Sequence, residues 1–473
     1  MDLKPKVFDA KIDVDGNGST QWRTLLICGL NYGGKHVWAE DDFDGTAGNE
    51  IRHFFPSYFC IDITDPRAPR VLWERSYEGL GMTTSIPAVV KVGSSWFAAI
   101  GSGPNDDDGI DDFLGESDQS GHMFIVDVLT GEPHGSGTND WLFATSESNA
   151  FMNSPVAIDW GLTYDVDSIY FGATYKNMSG DWRGMVYKIN TWYSSAPSST
   201  PGDWGSSVVF DASGEGPITA PIGLSIDFEN RVWLYFGTGR YINTSDKTSE
   251  DQQYFFGVKD PFFNSDYDQP SPDDYYTNTG KSKTVYKSDL FDTDNITVTT
   301  LRNVFTDCDI ACSPYGTTGA WDELVQDVGA AEGWFRSLYT ATGYPSERVV
   351  SKPSILGGIV FFPAFSPNTD ICGFGGDSSF YGLYFETGTA FPREVLPNGL
   401  EAPVSIGGET QQIVKTDIQI GSGAPPPSAG IHVGQQKGAK AFLQMSTGEV
   451  IELDVEPAMK IKSGLTSWHE RSE

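Results

Sequence analysis

The chain has little of what metal, redox or membrane-spanning proteins contain. Its 473 residues include six histidines and five cysteines, with no CxxC pair, so the common zinc spacings are absent. No apolar run is long enough to cross a bilayer, and the N-terminus lacks the apolar stretch of a signal peptide. Two interpretations follow: a cytoplasmic protein, or the downstream part of an exported precursor.

Basic residues are also scarce. The chain has 31 Lys and Arg against 64 Asp and Glu, a formal net charge of −33. Such a surface repels phosphate backbones and anionic lipid head groups, which argues against nucleic-acid or membrane-surface partners. An acidic surface of this kind is compatible with binding of divalent cations, with a saline exterior, or simply with high solubility. By contrast, the 39% hydrophobic and 13% aromatic content provides for a sizeable core, so the chain is not disordered.

No common catalytic motif occurs. The sequence has no GxSxG nucleophile elbow, no HExxH and no Walker loop. The histidines are scattered, each beside glycine or polar residues, at positions 36, 53, 122, 134, 432 and 469. We expect no catalytic and no cofactor-binding residue among them, but a triad that the fold assembles from a histidine, a serine and a carboxylate stays open.

The five cysteines occupy different surroundings. Cys28 and Cys60 each end a run that reads as a strand, whereas Cys308 and Cys312 share one polar loop and Cys372 stands apart. One or two disulfides would fit an oxidising compartment and leave at least one thiol over. Buried free cysteines are the equal alternative for the first two.

What the chain has in abundance is a repeated strand module. Each copy has a Pro-containing approach, an apolar strand with a glycine, and an alternating strand that closes on Thr-Gly or Asp-Pro. Short β-branched and aromatic runs between Gly, Pro, Asp and Asn are typical of strands. The copies cover residues 22–66, 85–131, 154–190, 220–258 and 352–388, and a last one ends at 441–448.

Repetition at this scale predicts an all-β fold, a single β-propeller of about six to seven irregular blades with long loop insertions. A pair of β-sandwiches is the structural alternative. We expect the propeller to span residues 1–458 and a C-terminal tail to follow at 459–473.

One segment, 259–344, interrupts the repeat and is predicted to be an insertion that caps the propeller. It is acidic and rich in Pro and Tyr, and then becomes helical in pattern. The apolar spacing i, i+3, i+4, i+7 predicts a short helix, with a stripe formed by Trp321, Leu324, Val325 and Val328 and continued by Trp334, Phe335 and Leu338. Such a stripe is typical of packing on a core.

Three acidic stretches have the composition of calcium loops, because calcium prefers several oxygen ligands and a glycine for the turn. In the first, Asp13, Asp15 and Asn17 form half of an EF-hand loop, without its final acidic residue. A polar hairpin turn explains this stretch equally well. The others lie at 105–112 and 264–274, where a solvated loop is the alternative.

The order of the strand modules resembles the C-terminal domain of the PilY-type assembly factors and tip adhesins of bacterial type IV pili. The similarity covers nearly the whole chain, and it lies in the order of the segments more than in any one of them. The segments are 22–34, 60–74, 80–87, 235–241, 253–260, 333–334, 347–353, 361–362, 370–376 and 467–470.

The resemblance implies an exported, non-enzymatic protein that acts with the pilus machinery in assembly, adhesion and twitching motility. Its implied partners are minor pilins of the pilus tip complex and a host or abiotic surface ligand. The implied location runs from the periplasm and outer membrane to the cell surface and pilus tip, with the signal peptide expected in an upstream region.

Members of the family carry a calcium loop of the pattern DxDxDxxxD on the third blade, and the matching stretch here is 159–167. The resemblance therefore implies ligands at Asp159, Thr163, Asp165 and Asp167, with Gly161 and Thr163 in place of the two central aspartates. Loss of two ligands should weaken the affinity for calcium severely, unless Asp165 or water substitutes. A polar β-turn, in which aspartates accept backbone hydrogen bonds, is the alternative.

Two other classes of propeller provide alternatives. A carbohydrate-binding or carbohydrate-active propeller would stack sugars on exposed Trp and Tyr beside carboxylates. A quinoprotein-like dehydrogenase would need a buried cofactor clamp and Trp-docking repeats, which are not evident in the sequence.

Overall fold

Alternating β-branched and aromatic runs form a series of antiparallel sheets. The computed structural model describes residues 3–34, 36–42, 49–105, 114–193, 196–229, 231–262, 284–306, 313–369, 375–406, 408–434 and 438–459. The chain divides into two compact units. The first comprises Met1–Ile222 with Pro261–Thr284, and the second comprises Gly223–Asp260 with Val285–Glu473.

The first sheet of the first unit has the order β1-β2-β5-β6, and a separate two-stranded hairpin, β3-β4, interrupts it. The bounds are β1 (Lys6–Ile12), β2 (Gln21–Cys28), β3 (Val37–Asp41), β4 (Glu50–Phe54), β5 (Tyr58–Asp62) and β6 (Arg70–Arg75). The second sheet runs β7-β8-β9-β10 in chain order, with β7 (Ala88–Val92), β8 (Ser95–Gly101), β9 (His122–Asp127) and β10 (Phe143–Ala144).

The third sheet is built on the long hairpin β13-β14, which β17 extends on one side while β11 and β12 both pair with β13 on the other. Its strands are β11 (Ala150–Met152), β12 (Val156–Ile158), β13 (Ser168–Lys176), β14 (Trp182–Asn190) and β17 (Gly205–Ala212). Between the last two lie a small ribbon, β15 (Trp192–Tyr193) and β16 (Ala196–Pro197), and a 3-10 turn at Pro201–Asp203.

Apolar side chains fill the spaces between consecutive sheets of this unit. Leu25, Ile27 and Tyr58 of the first sheet pack in one cluster with Ile100 and Phe124 of the second. The opposite side of the second sheet packs against the third, in a cluster that includes Val90, Ile125, Ile169 and Phe171. Burial of both faces of the second sheet explains why β8 and β9 are apolar on both sides.

The second unit begins with a sheet of order β18-β19-β20-β26-β22 and continues with one of order β27-β28-β29-β32 and one of order β33-β34-β35. The earlier strands are β18 (Gly223–Ile226), β19 (Val232–Gly237), β20 (Tyr254–Lys259), β21 (Val285–Tyr286), β22 (Phe291–Asp292), β23 (Ile296–Val298), β24 (Val304–Thr306), β25 (Ser313–Pro314) and β26 (Gly333–Ser337). The later ones are β27 (Ser354–Leu356), β28 (Ile359–Pro367), β29 (Gly376–Tyr384), β30 (Val404–Ile406), β31 (Glu409–Gln411), β32 (Asp417–Gly423), β33 (Gly430–Val433), β34 (Ala439–Gln444) and β35 (Val450–Val455).

The predicted helix is present as α1 (Trp321–Ala330), and Trp321, Leu324 and Val328 are buried along it. The prediction that its apolar stripe continues through Trp334 and Phe335 is wrong, because these residues lie on β26, which pairs with β20. Gly333 starts that strand at φ 143°, where a Cβ would lie 2.1 Å from the carbonyl oxygen of Gly257. Part of the segment expected to be an insertion is therefore the fourth strand of a sheet.

A single propeller domain over residues 1–458 stays a prediction. The tail expected at 459–473 lies outside the described residues apart from its first position.

Candidate metal-binding loops

The loop predicted from the family pattern connects β12 to β13, which pair as an antiparallel hairpin. Asp159 opens the loop and accepts hydrogen bonds from the backbone N–H groups of Thr163, at 2.9 Å, and Tyr164, at 2.6 Å. Leu162 and Tyr164 have left-handed backbone conformations, with φ of 52° and 67°. The Asp159 carboxylate therefore holds a turn that non-glycine residues rarely adopt.

Asp167 closes the same loop and is almost completely buried. Its Oδ2 accepts a hydrogen bond from the backbone N–H of Trp160 at 3.0 Å, and its Oδ1 accepts one from the indole N–H of Trp192 at 2.8 Å. Burial raises the pKa of Asp167 to about 6, although these hydrogen bonds oppose the shift and nearby Asp159 adds to it. Asp167 is thus a buried anchor of the loop.

Asp165 forms an ion pair with a lysine on a strand that is distant in sequence. Its Oδ1 lies 2.8 Å from Lys91 Nζ on β7 and accepts the backbone N–H of Gly93 at 2.9 Å. Lys91 Nζ also donates to the carbonyl oxygen of Tyr164 at 3.0 Å. Local sequence reasoning does not reveal this ion pair, because Lys91 comes from another sheet.

The alternative loop, with Asp13, Asp15 and Asn17, connects β1 to β2. Asp13 accepts the backbone N–H groups of Asn17 and Gly18, at 3.2 and 2.6 Å, and Asn17 accepts that of Ser19 at 2.8 Å. Asp15 instead forms ion pairs, at 2.7 Å with Arg23 and 3.5 Å with Arg70. These are the contacts of a polar hairpin turn.

Neither loop directs three acidic side chains to one point. Within the described ranges, no group of three or more His, Cys, Asp or Glu residues is placed to hold a metal ion. The carboxylates of Asp159 and Asp167 accept N–H groups, and a calcium ion would have to displace some of those bonds. As hydrogen-bonded here, the residues do not form a calcium cage, and calcium in either loop stays a prediction. Of the predicted stretch 105–112, only Asn105 lies within the described residues, and the stretch 264–274 lies outside them.

The two described cysteines are free and buried. In the β2-β5 pairing, Cys60 is opposite Ile27 and Cys28 is opposite Phe59. Because successive side chains of a strand point to opposite faces, Cys28 and Cys60 lie on opposite faces of the sheet and cannot form a disulfide. Burial raises the pKa of the Cys60 thiol to about 12 and also raises that of Cys28. Cys308, Cys312 and Cys372 lie outside the described residues.

The separate hairpin β3-β4 carries apolar side chains that the sequence did not single out. Trp38 is 62% exposed and Ile51 is 60% exposed, and Val37, Phe54 and Phe55 are also exposed. A two-stranded ribbon is marginal in stability when water surrounds both faces. Trp38 and Ile51 therefore leave apolar surface of this hairpin in contact with water.

The strands and sheets define an all-β protein. No family model matches the chain. Its fold is similar to the crystal structure of the Pseudomonas aeruginosa PilY1 C-terminal domain, with a TM-score of 0.60 and 16% identity, over 96% of this chain and 83% of that one. That domain is a β-propeller, so the predicted fold class is confirmed.

Two curated relatives from Xylella fastidiosa (strain Temecula1) carry the same name, type IV pilus biogenesis factor PilY1 homolog. One is 27% identical over 248 residues, which is 50% of this chain and 16% of the relative. The other is 23% identical over 450 residues, which is 88% of this chain and 25% of the relative. The resemblance to the PilY-type C-terminal propeller is thus confirmed, and the chain spans a quarter or less of these relatives.

Among the described residues, none of the helices is both long and apolar enough to span a membrane.

Proposed function

We propose that this chain is a non-enzymatic propeller domain of a type IV pilus biogenesis factor, and that it acts at the pilus tip or cell surface by binding other proteins. The observation that carries the proposal is the alignment with a curated pilus biogenesis factor along 88% of the chain. The similar fold of a PilY1 C-terminal domain supports it. Its proposed location implies export through a signal in an upstream region.

Minor pilins of the tip complex are the proposed partners, and adhesion to a host or abiotic surface is a further proposed role. The exposed hairpin β3-β4 supports a protein-binding role, because Trp38 and Ile51 leave apolar surface in water that a partner would cover. Calcium modulation of these roles rests on the two predicted loops and stays a prediction. The comparisons do not favour the carbohydrate alternative.

The test is genetic and biochemical. Deletion of the region that encodes this chain, with the rest of its gene kept in frame, is expected to abolish surface pili and twitching motility in the source bacterium. Electron microscopy counts the pili, and the intact gene in trans restores them. Normal piliation and motility in the deletion strain would overturn the proposed role.

The hairpin is tested separately with purified proteins. Trp38→Ser is expected to weaken co-purification with the minor pilins, whereas Trp22→Ser is not. Trp22 is a matched control, because it is also 62% exposed but lies on β2. Equal loss in both variants, or in neither, would exclude the hairpin as the pilin contact.

A further inference from the structure

The strand β35 leaves an open edge on its sheet. The sheet β33-β34-β35 has three strands, whereas the other large sheets described above have at least four. Within the part of the chain that the structure describes, β35 pairs with β34 alone, through six consecutive residue pairs from Ala439↔Val455 to Gln444↔Val450. The register is regular along its whole length.

The last strands of four other large sheets differ from β35. The pairings of β6 and β32 with their neighbours each contain a register shift. The strand β10 has only two residues, and the parallel strand β22 covers the edge of β26. Bulges, short strands and covered edges are the usual ways in which proteins prevent unwanted strand pairing. The strand β35 has none of these features.

The unpaired backbone groups of β35 can be assigned from the turn before it. The backbone N–H of Met445 donates to the carbonyl oxygen of Glu449 at 2.8 Å, and pairs alternate along an antiparallel ladder. The N–H and C=O groups of Val450, Glu452 and Asp454 therefore point away from β34. At the next outward position, the N–H of Glu456 donates to the carbonyl oxygen of Val395 at 2.9 Å. Another segment of the same chain thus already contacts this edge at its end.

A polar groove of about 860 Å³ lies beside the open edge. Glu452 and Asp454 line it from β35, and both interact with Lys440 on β34. The charged groups along the groove are five carboxylates and two cations, namely Asp294, Glu401, Asp417, Glu452 and Asp454 with Arg336 and Lys415. The groove is therefore negative.

The negative charge of the groove determines which kind of segment can pair with the open edge of β35. A second copy of a chain with net charge −33 would bring more carboxylates to the groove and be repelled. Carboxylates on an exposed strand thus prevent self-association, yet they attract a segment of opposite charge. An added strand would supply N–H and C=O partners for Glu452 and Asp454, and its cationic side chains would lie opposite their carboxylates.

We propose that β35 accepts an extended, lysine- or arginine-bearing segment of a partner protein as an added fourth strand, with its cations in the acidic groove. The inference goes beyond the pilus role and does not depend on it, because it rests only on the edge and the groove.

The probe is a short capped peptide of alternating valine and lysine, titrated into the full chain at low salt by calorimetry. Binding is expected, together with slower hydrogen exchange of the amides of Glu452 and Asp454. The variant Asp454→Lys is expected to weaken binding about tenfold, since it turns an attraction into a repulsion. Asp454 is 81% exposed, so this variant should fold normally.

Glu409→Lys is the matched control, because Glu409 is exposed on β31 and does not line the groove. It makes the same change in net charge and is expected to leave binding within about twofold. The same peptide N-methylated at alternate residues keeps its charge but cannot complete a ladder, and it is expected to lose binding.

Four results would overturn the proposal. Equal binding of the N-methylated peptide would indicate an acidic patch without strand addition. No binding of the alternating peptide, or equal weakening by Glu409→Lys, would exclude the edge as its site. A dimer in sedimentation velocity that Asp454→Lys dissociates would assign the edge to a second copy.

Discussion

The ammonium group of Lys259 donates a 2.6 Å hydrogen bond to the carbonyl oxygen of Gly329, next to the last residue of α1. It donates a second, of 2.7 Å, to the carbonyl oxygen of Ala331, and lies 5.3 Å from the centre of the Trp233 ring. The C-terminal carbonyls of a helix carry partial negative charge, so a cation there is favourable. Lys259 thus joins the end of β20 to the end of the helix.

This lysine predicts a pH dependence of stability. Burial, aided by the nearby positive charge of Arg231, lowers the pKa of Lys259 from 10.5 to about 8. Between these values the unfolded chain binds more protons than the folded one, so the unfolding free energy rises with pH across that window. The contribution of this one residue is at most about 1.4 kcal/mol per pH unit.

Urea titrations of the chain and of Lys259→Met between pH 7 and pH 10 check this prediction, because this range covers most of the interval between the two pKa values of about 8 and 10.5. As pH rises, the unfolding free energy of the unmodified chain should increase relative to that of Lys259→Met. Lys4→Met, at an exposed position, should show no such difference. Parallel pH profiles for the chain and Lys259→Met would contradict the prediction.

The family-pattern loop predicts where calcium would bind if it binds this chain. With two central ligands replaced, we expect an affinity weaker than about 10 µM, the weak end of calcium sensors. Calorimetric titration of the chelator-treated chain should show heat that Asp159→Ala abolishes and Asp13→Ala retains. Loss of the heat in Asp13→Ala alone would assign the calcium site to the first loop. No heat in the unmodified chain would exclude calcium binding by this chain.

The buried thiols predict selective reactivity. Because burial raises the pKa values of Cys28 and Cys60, neither forms the reactive thiolate readily near neutral pH. A colorimetric thiol reagent should leave both unmodified in the native chain and react with them only after denaturation. Mass spectrometry of the labelled peptides assigns the sites. Rapid native labelling of either cysteine would show that its strand opens or is placed differently.

A glycine on β20 predicts a steric effect. A Cβ on Gly257 would lie 2.4 Å from the fully buried indole of Trp334, whose N–H donates to the carbonyl oxygen of Phe385 at 2.9 Å. Since the indole cannot move without losing that bond, Gly257→Ala should lower the unfolding free energy by about 1–3 kcal/mol.

Gly202→Ala is the control for that substitution, because a Cβ at Gly202 meets nothing within 4 Å. Its effect should stay within about 0.5 kcal/mol. Thermal and urea unfolding measure both variants. A Gly257→Ala variant as stable as the control would mean that Trp334 does not pack against β20.

Local pattern predicted the strands well where their neighbours are close in sequence. The runs at 96–101 and 232–239 correspond to β8 and β19, and the helical spacing from Trp321 to Val328 corresponds to α1. The same spacing failed at Trp334 and Phe335, because apolar periodicity cannot register a pairing with β20, which lies more than seventy residues earlier in the chain.

The candidate loops show the same contrast between local features, which the sequence predicts, and contacts with distant segments, which it does not. The sequence placed Asp159 and Asp167 at the two ends of one loop, and the structure has them there. It could not show that Asp165 pairs with Lys91 or that Trp192 donates to Asp167, because those partners come from other strands. Nor could the sequence show whether Cys28 and Cys60 form a disulfide, since the faces on which they lie depend on the register between β2 and β5.

By itself, then, the sequence determined the strand repeats, the all-β class and the acidic surface, because composition and short-range periodicity are local properties of a chain. Only the tertiary structure decided which strand ends each sheet, which carboxylates meet a cation, and which edge stays open at β35. Those features depend on pairings between distant segments, and the free energy of such pairings comes from packing that no single segment contains.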